Sequence, residues 1–487
     1  MIRIVIGSVM SRIDTSIPAD VSSRLNEDLR YHPDGYQHTW YFKNKKWDGY
    51  NYCYNMVERT FRTGLLWRVC LRLQRDNLAY DIVDERPKPE KISGLGKLNL
   101  GNITPFHYQI DAAESTGPES HCIVASPTGT GKTIMMSLMV QKHQLRTLIV
   151  VNSRTLLDQT HEFFEQVVPG TVGIVGSGDF DLGDVTIATI QSLSTILRLS
   201  KKQQEKAASW KEEPVREWLA NVGLVIHDEV HEADNASVDK LYGQLPASKF
   251  IGMTATPYAW AHATEKGKNL EMEQHFGRKV FDSRGEVDFI KLGITVPLIV
   301  NRPLMPRASE FVNYVGEGVR KFYGVNTQAE YRDVVKVQVD ENQERIDRIA
   351  KIAAGMVDGG MSCYVFYNKI AYGEALCEAM KKYDPVMLQG STSRNERNQV
   401  FKDINEKRQL LVVSDIGSYG LNIRSLDNII IASPTKDARQ LKGRVCRAFE
   451  GKKYGLVTDL VDNVPYLDKH AELRLNQYNK DGDAVVG

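Results

Sequence analysis

The chain has 487 residues, of which 42% are hydrophobic and 25% charged; that length excludes a single hydrophobic core, and the composition is ordinary for a soluble globular protein of about three domains. With 62 basic residues against 61 acidic ones the net charge is +1, so a surface for a polyanion must come from local clustering and not from bulk charge. Cysteines at 53, 70, 122, 363, 377 and 446 form no C-x-x-C pair and no zinc spacing, which excludes a zinc module and predicts reduced thiols in a cytoplasmic protein.

The N-terminus, MIRIVIGSVMSRID, has an apolar run too short for a signal peptide, and no stretch approaches the 18 apolar residues of a membrane span. Ile2 to Val9 reads as a strand, and Tyr36 to Tyr54 is aromatic and basic. Leu65, Leu66, Val69 and Leu73 recur at helical spacing, while Arg68, Arg72 and Arg75 fall on another face. Between Lys43 and Arg75 eight Lys and Arg stand against two acids, Asp48 and Glu58, with Tyr, Trp and Phe interleaved. Such a segment suits phosphate contact and base stacking, with Arg68, Arg72 and Arg75 as the candidate contacts; the alternative is a solvated helix face beside ordinary core aromatics. Residues 1–100 are therefore expected to form a small N-terminal α+β domain that binds nucleic acid. Arg86 to Asn102, with two prolines and three glycines, reads as its linker.

From Thr104 to about Pro297, apolar runs alternate with amphipathic stretches. TLIVV (147–151), VTIATI (185–190) and LVIHDE (224–229) read as strands buried on both faces of a parallel sheet, and Lys201 to Glu217 as a solvated helical excursion. A second alternating set has strand candidates CYVFY (363–367), LLVVS (410–414), NIIIAS (428–433) and YGLVTDL (454–460). The expected fold is α/β, with domains at 101–297 and 298–470. Leu298 to Asp333 is read as connection and helical elaboration, and the tail 471–487 as a polar helix and a frayed end.

The strongest motif is SPTGTGKT, Ser126 to Thr133, between an apolar strand and a helix-like run, which is the context a phosphate-binding loop requires. Thr128, Gly129, Thr130 and Gly131 would turn successive N–H groups toward phosphate oxygens, Lys132 would reach the β- and γ-phosphates of ATP, and Thr133 would ligate Mg²⁺. The strict pattern has glycine where Ser126 stands. DEVH, Asp228 to His231, follows a strand: Asp228 suits Mg²⁺, mostly through water, and Glu229 suits orientation and deprotonation of the attacking water. Gln109, in PFHYQ, is a candidate reader of adenine N6 and N7.

With VNSRTLLDQ (151–159), IATIQSL (187–193), TATP (254–257), VVSDIGSYGLNI (412–423) and QLKGRVCRA (440–448), these elements resemble the ordered motifs of superfamily-two helicases of the DEAH-like class. The resemblance covers about 104–460. It implies two RecA-like P-loop domains and an ATP hydrolase in which Gln109, Lys132, Thr133, Asp228, Glu229 and His231 serve ATP. It implies that Thr254 and Thr256 couple hydrolysis to movement, and that Gln440, Arg444 and Arg447 form the last motif, whose arginines stabilise the transition state, a contribution worth ~10³-fold or more. Arg154, Thr155, Gln191, Ser192, Ser391, Thr392 and Ser414 would touch the nucleic-acid backbone; each also suits a helix cap or turn.

Within that superfamily the chain looks like the phage UvsW-type branch-migration helicases, through DGY (34–36), WDG (47–49) and Thr63-Gly64-Leu65 as well as the motor. That likeness implies branched or forked DNA as substrate, RNA in hybrids, recombination or replication proteins as partners, and a host cytoplasm. An RNA helicase or a restriction-type translocase subunit is the alternative enzyme. A clamp that binds ATP without turnover is the alternative class, against which the intact Lys132, Asp228, Glu229 and Arg447 argue.

Overall fold

The computed structural model describes residues 1–33, 35–117, 119–176, 178–199, 210–232, 235–256, 265–311, 330–407, 411–414 and 425–486. The chain divides into two compact units, one of residues 1–127 and 131–287 and the other of residues 128–130 and 288–487.

In the N-terminal region of the first unit the strands are β1 (Ile2–Ile6), β2 (Met10–Ile13), β3 (Arg30–Tyr31), β4 (Asn51–Tyr52), β5 (Tyr54–Asn55), β6 (Thr60–Arg62) and β7 (Tyr80–Asp84). Five of them form a mixed sheet in the order β5-β6-β2-β1-β7, while β3 and β4 pair separately. Helices Ala19–Asp28 and Leu66–Arg75 cover the larger sheet, burying Val21, Leu25, Val69 and Leu73 against Ile4, Ile13 and Phe61. Leu270, from the helix Glu265–Phe276, completes the same core. A Cβ on Gly64 would collide with the Glu273 carbonyl and lie 2.7 Å from that of Gln274, so only glycine lets this turn dock on the helix end.

The rest of the first unit carries β8 (His121–Ala125), β9 (Thr147–Val151), β10 (Val172–Gly176), β11 (Asp179–Phe180), β12 (Val185–Thr189), β13 (Leu224–Asp228), β14 (Lys249–Thr254) and β15 (Arg278–Asp282). Among the described residues they form one sheet in the order β11-β10-β12-β9-β13-β14-β8-β15, parallel except at β10–β11. β8, β9, β12 and β13 are buried along their whole length, as continuous Val/Ile/Leu runs covered on both faces must be. Because β9, β13, β14 and β8 are parallel neighbours, the loops after them leave the sheet side by side at one edge, where α/β sheets hold their ligands. The charged excursion is a packed element in its described part: helix Glu212–Leu219 buries Val215, Trp218 and Leu219.

The second unit holds β16 (Leu298–Asn301), β17 (Cys363–Phe366), β18 (Val386–Leu388), β19 (Leu411–Ser414), β20 (Asn428–Ile431), β21 (Gly455–Asp459) and β22 (Ala484–Val486), in the order β18-β19-β17-β20-β21-β16-β22 with every pairing parallel. Two expectations change here. The stretch read as connection contains β16, and the terminal segment is not frayed: helix Leu467–Asp481 buries Ala471, Arg474 and Tyr478, and β22 adds a strand beside β16. No helix among the described residues is long and apolar enough to cross a membrane.

Candidate functional site

β8 delivers the loop Ser126–Thr133 at the ligand edge of the first sheet. Ser126 is fully buried; its N–H donates to the Thr254 carbonyl (2.9 Å) and its hydroxyl meets that of Ser283 at 2.8 Å. Serine thus replaces the expected glycine because it is bonded into the neighbouring strands. Gly129 and Gly131 have φ of +83° and +81°, a left-handed backbone that glycine adopts without strain. A Cβ on Gly131 would strike the Gln109 amide nitrogen, which places that buried carboxamide against the phosphate loop. The Gln109 Oε1 also accepts from the Phe106 N–H (3.0 Å), fixing the start of helix His107–Ser115. Thr128 is half-buried and Thr130 buried in the loop; Lys132 and Thr133 open helix Lys132–His143.

The Lys132 ammonium is paired with the Glu229 carboxylate and lies 3.9 Å from Asp228. Burial pushes the Asp228 carboxyl up to about 6; Lys132 opposes that shift and Glu229 adds to it. Burial acts the same way on Glu229, but Lys132 and His231 outweigh it and hold this carboxyl below its ordinary range. Glu229 has φ +54°, a conformation that L side chains take only when surroundings impose it. Three contacts do so. Its N–H donates to Asp228 Oδ1 (3.0 Å), its carbonyl accepts from Asn152 Nδ2 (3.1 Å), and its Oε2 accepts from the Ala255 N–H (3.4 Å).

Behind Asn152 stands His227, whose ring bonds Asn152 Oδ1 (3.3 Å) on one side and the Tyr242 hydroxyl (2.8 Å) on the other. Burial lowers this imidazole to about 3, so it is neutral and can donate from one nitrogen while accepting at the other. Asn152 lies in the VNSRTLLDQ run without a role assigned to it, His227 is marked only as a histidine inside the apolar run LVIHDE, and Tyr242 carries no signal at all. His231 Nδ1 meets Thr254 Oγ1 at 2.8 Å, and that oxygen accepts from the Thr256 N–H at 3.0 Å, so the carboxylate loop and the threonine loop share one hydrogen-bonded junction. Pro257 lies outside the described residues.

The other candidates are dispersed. Arg154 and Gln191 are exposed at helix starts, Thr155 is half-buried, and Ser192 is bonded to the capping Thr189 (2.8 Å). In the second unit Ser391 is exposed, and the Thr392 hydroxyl accepts from the Gln389 N–H (2.9 Å). Ser414 is fully buried at the end of β19. Residues 415–424 and the Gln440 side chain lie outside the described residues. Arg444 is buried on helix Arg439–Val445, and Arg447 forms a bridge with Thr295.

On the basic helix two of the three arginines are ion-paired. Arg68 Nε is 2.6 Å from Glu273, Arg72 is 2.6 Å from Asp28, and Arg75 alone of the three is exposed. Carboxylates from neighbouring helices pair with the first two, which knits the region together.

Residues 102–259 match the family model described as type III restriction enzyme, res subunit, and residues 344–450 match the helicase conserved C-terminal domain. The chain is 22% identical to the ATP-dependent DNA helicase uvsW of Enterobacteria phage T4, over 92% of this chain and 88% of that one. It is 23% identical to putative helicase 22 of Sulfolobus islandicus filamentous virus, over 80% and 70%. Its fold resembles that of S. cerevisiae Dbp5 bound to RNA and ADP BeF3, with a TM-score of 0.53 at 14% identity over 81% of this chain and 95% of the other. With the two motor models in sequence order, together spanning more than half its length, and with helicase relatives matched over 80% and 92% of it, the chain belongs to the superfamily-two helicases and is an ATP-hydrolysing enzyme.

Proposed function

We propose that this helicase translocates on DNA and remodels branched structures: Holliday junctions, stalled forks and RNA–DNA hybrids within R-loops. The observation that carries the reading is the likeness to the phage T4 DNA helicase, which includes the N-terminal region as well as the motor. Residues 1–100 recognise the branch, and the two RecA-like units turn ATP over.

The chemistry follows from the first unit. Lys132 stands between two carboxylates, and the β- and γ-phosphates of ATP compete with Glu229 for its ammonium. Glu229, released, accepts the proton of the attacking water. Among the described residues no three His, Cys, Asp or Glu side chains form a metal cage, and the donors at this edge are oxygens. Thr133 and Asp228 would hold Mg²⁺ here, and the ion would supply positive charge to the phosphates of ATP. The junction of His231 with Thr254 passes the state of Glu229 to the 254–256 loop, the coupling of hydrolysis to movement.

The test is unwinding of a four-way junction, a fork, a 3′- or 5′-tailed DNA duplex, a tailed RNA duplex and an RNA–DNA hybrid side by side. Preference for junction and fork supports the reading. Activity confined to tailed RNA duplexes makes the chain an RNA helicase.

A further inference from the structure

With Arg68 and Arg72 ion-paired, a cluster of three lysines stands out on a small knuckle between β3 and β4. Helix Trp40–Lys43 starts on Thr39, whose hydroxyl accepts from the Phe42 N–H (3.3 Å). It ends in a left-handed turn: the Lys45 N–H bonds the Phe42 carbonyl, the Lys46 N–H bonds the Tyr41 carbonyl, and Lys45 has φ +53°. That position ordinarily takes glycine or asparagine, so a lysine is held there against backbone preference.

The knuckle is rigid because an aromatic base supports it. His32 stacks on Tyr36 and Tyr50 (centroids 4.0 and 3.8 Å), and Phe42 meets Tyr36 edge-on. Gly49, of the WDG motif, lies so close that a Cβ would be 2.7 Å from Tyr36 and 3.0 Å from Phe42. Asp48 is occupied by the Tyr50 N–H (3.0 Å) and the Tyr52 hydroxyl.

On this base Trp40 and Tyr41 are turned out, 58% and 62% exposed, and Lys46 lies 4.8 Å from the Trp40 ring centroid. Lys43, Lys45 and Lys46 are exposed, and among the described residues none has a carboxylate in ion-pair contact. They line an open groove of about 660 Å³ with Phe42, Trp47 and Asp48. Two large rings held out in water beside three uncompensated lysines match a strand with bare π-faces and a phosphate backbone. A duplex hides the first, and a protein partner does not require the second.

We propose that the Trp40–Lys46 knuckle binds unpaired DNA nucleotides, with Trp40 and Tyr41 stacking on bases and Lys43, Lys45 and Lys46 holding the phosphates. The proposal rests on the DNA reading above and gives the N-terminal region a single-strand subsite at the branch.

The test measures equilibrium binding of the full chain to a labelled 20-nucleotide oligo(dT), a blunt 20-bp duplex and oligo(U), by anisotropy across a salt series. Trp40→Ala with Tyr41→Ala should weaken oligo(dT) binding at least about tenfold and leave the blunt duplex within about twofold. Lys43→Gln, Lys45→Gln and Lys46→Gln together should lower the salt slope on oligo(dT) by about 2, since each phosphate no longer neutralised removes about 0.7 from it. Unchanged oligo(dT) binding in the aromatic variant overturns the proposal, as does an equal loss on the blunt duplex. Loss confined to oligo(U) assigns the knuckle to RNA and overturns it as well. Junction unwinding is scored separately, so a chain without branch preference that still loses oligo(dT) binding refutes the functional reading and keeps the subsite.

Discussion

Each unit buries a cation against a carboxylate, and the two clusters are built for opposite purposes. In the second unit Arg345 is 1% exposed and grips Asp462 with two bonds of 2.8 Å. Tyr372 accepts from the same guanidinium, and Gln338 donates to Asp462 (2.8 Å) while bonding the Pro306 carbonyl and the Ala308 N–H. A planar fork on a planar carboxylate, with the surrounding donors and acceptors matched, has nowhere else to go. In the first unit Lys132 is a point charge on a flexible stem, shared between Asp228 and a Glu229 that sits on a strained backbone. Burial alone therefore does not separate a structural ion pair from a working one. The geometry of the cation and the conformation under the anion do.

The largest effect expected is on turnover. Glu229→Gln keeps the shape of the site and a hydrogen bond to Lys132 but cannot accept the water's proton. ATP hydrolysis should fall about 10²–10⁴-fold, with ATP affinity kept and the melting temperature unmoved. Turnover within about twofold of the parent would remove Glu229 from the role of base. A large loss of stability would show that this pair, too, is structural.

Arg345→Ala tests the other cluster. It leaves Asp462 buried without its fork, which should cost about 3–5 kcal/mol and lower the melting temperature of the second unit by roughly 10 °C. Arg345→Met with Asp462→Leu should lose less than the single change, because no charge is left behind. Equal losses in the two variants would mean that packing, not charge, decides the site.

How far these clusters could be read from the chain follows from distance along it. The phosphate loop and DEVH were legible because each is a contiguous run whose chemistry demands that order of residues, set at a strand end. The strands were legible because a parallel sheet buried on both faces must be written as apolar runs. Asp462 as partner of Arg345, and Glu273 as partner of Arg68, could not be read, since single carboxylates far away in sequence carry no local pattern. β16 was hidden for a related reason: four residues after Pro297 are too few to show a period, and only the strands on either side define them.

Asn152 gives the comparison a finer test, because it holds the strained backbone and not the charge. Asn152→Ala removes the donor to the Glu229 carbonyl and the acceptor for His227. The strain then has one support fewer, and kcat should fall about tenfold while ATP affinity changes little. Asn152→Asp, which keeps an acceptor for His227 but loses the amide donor, should behave like alanine. If Asn152→Asp retains full turnover, His227 and not Glu229 is what Asn152 serves.

Arg68 lies between the two extremes, and the smallest effect is expected there. Its guanidinium stacks on Trp67 (4.6 Å) and meets Glu273, a carboxylate 1% exposed at the end of the helix on which Gly64 docks. The arginine itself keeps about a quarter of its side chain in water, so the pair is partly screened. Arg68→Ala should therefore destabilise the first unit by about 1–2 kcal/mol, less than a fully buried pair, through the stranded Glu273 and the missing stacking. Glu273→Gln introduced alongside should recover part of that loss, because a neutral amide tolerates the site without a cation. Thermal melts of the two single variants and the double variant measure this coupling directly. DNA binding and its salt slope should stay unchanged in all three, since a guanidinium already spent on Glu273 releases no counterions from DNA. A salt slope lower by about one unit with stability intact would return Arg68 to the nucleic-acid surface and undo the assignment of that surface to the lysines alone.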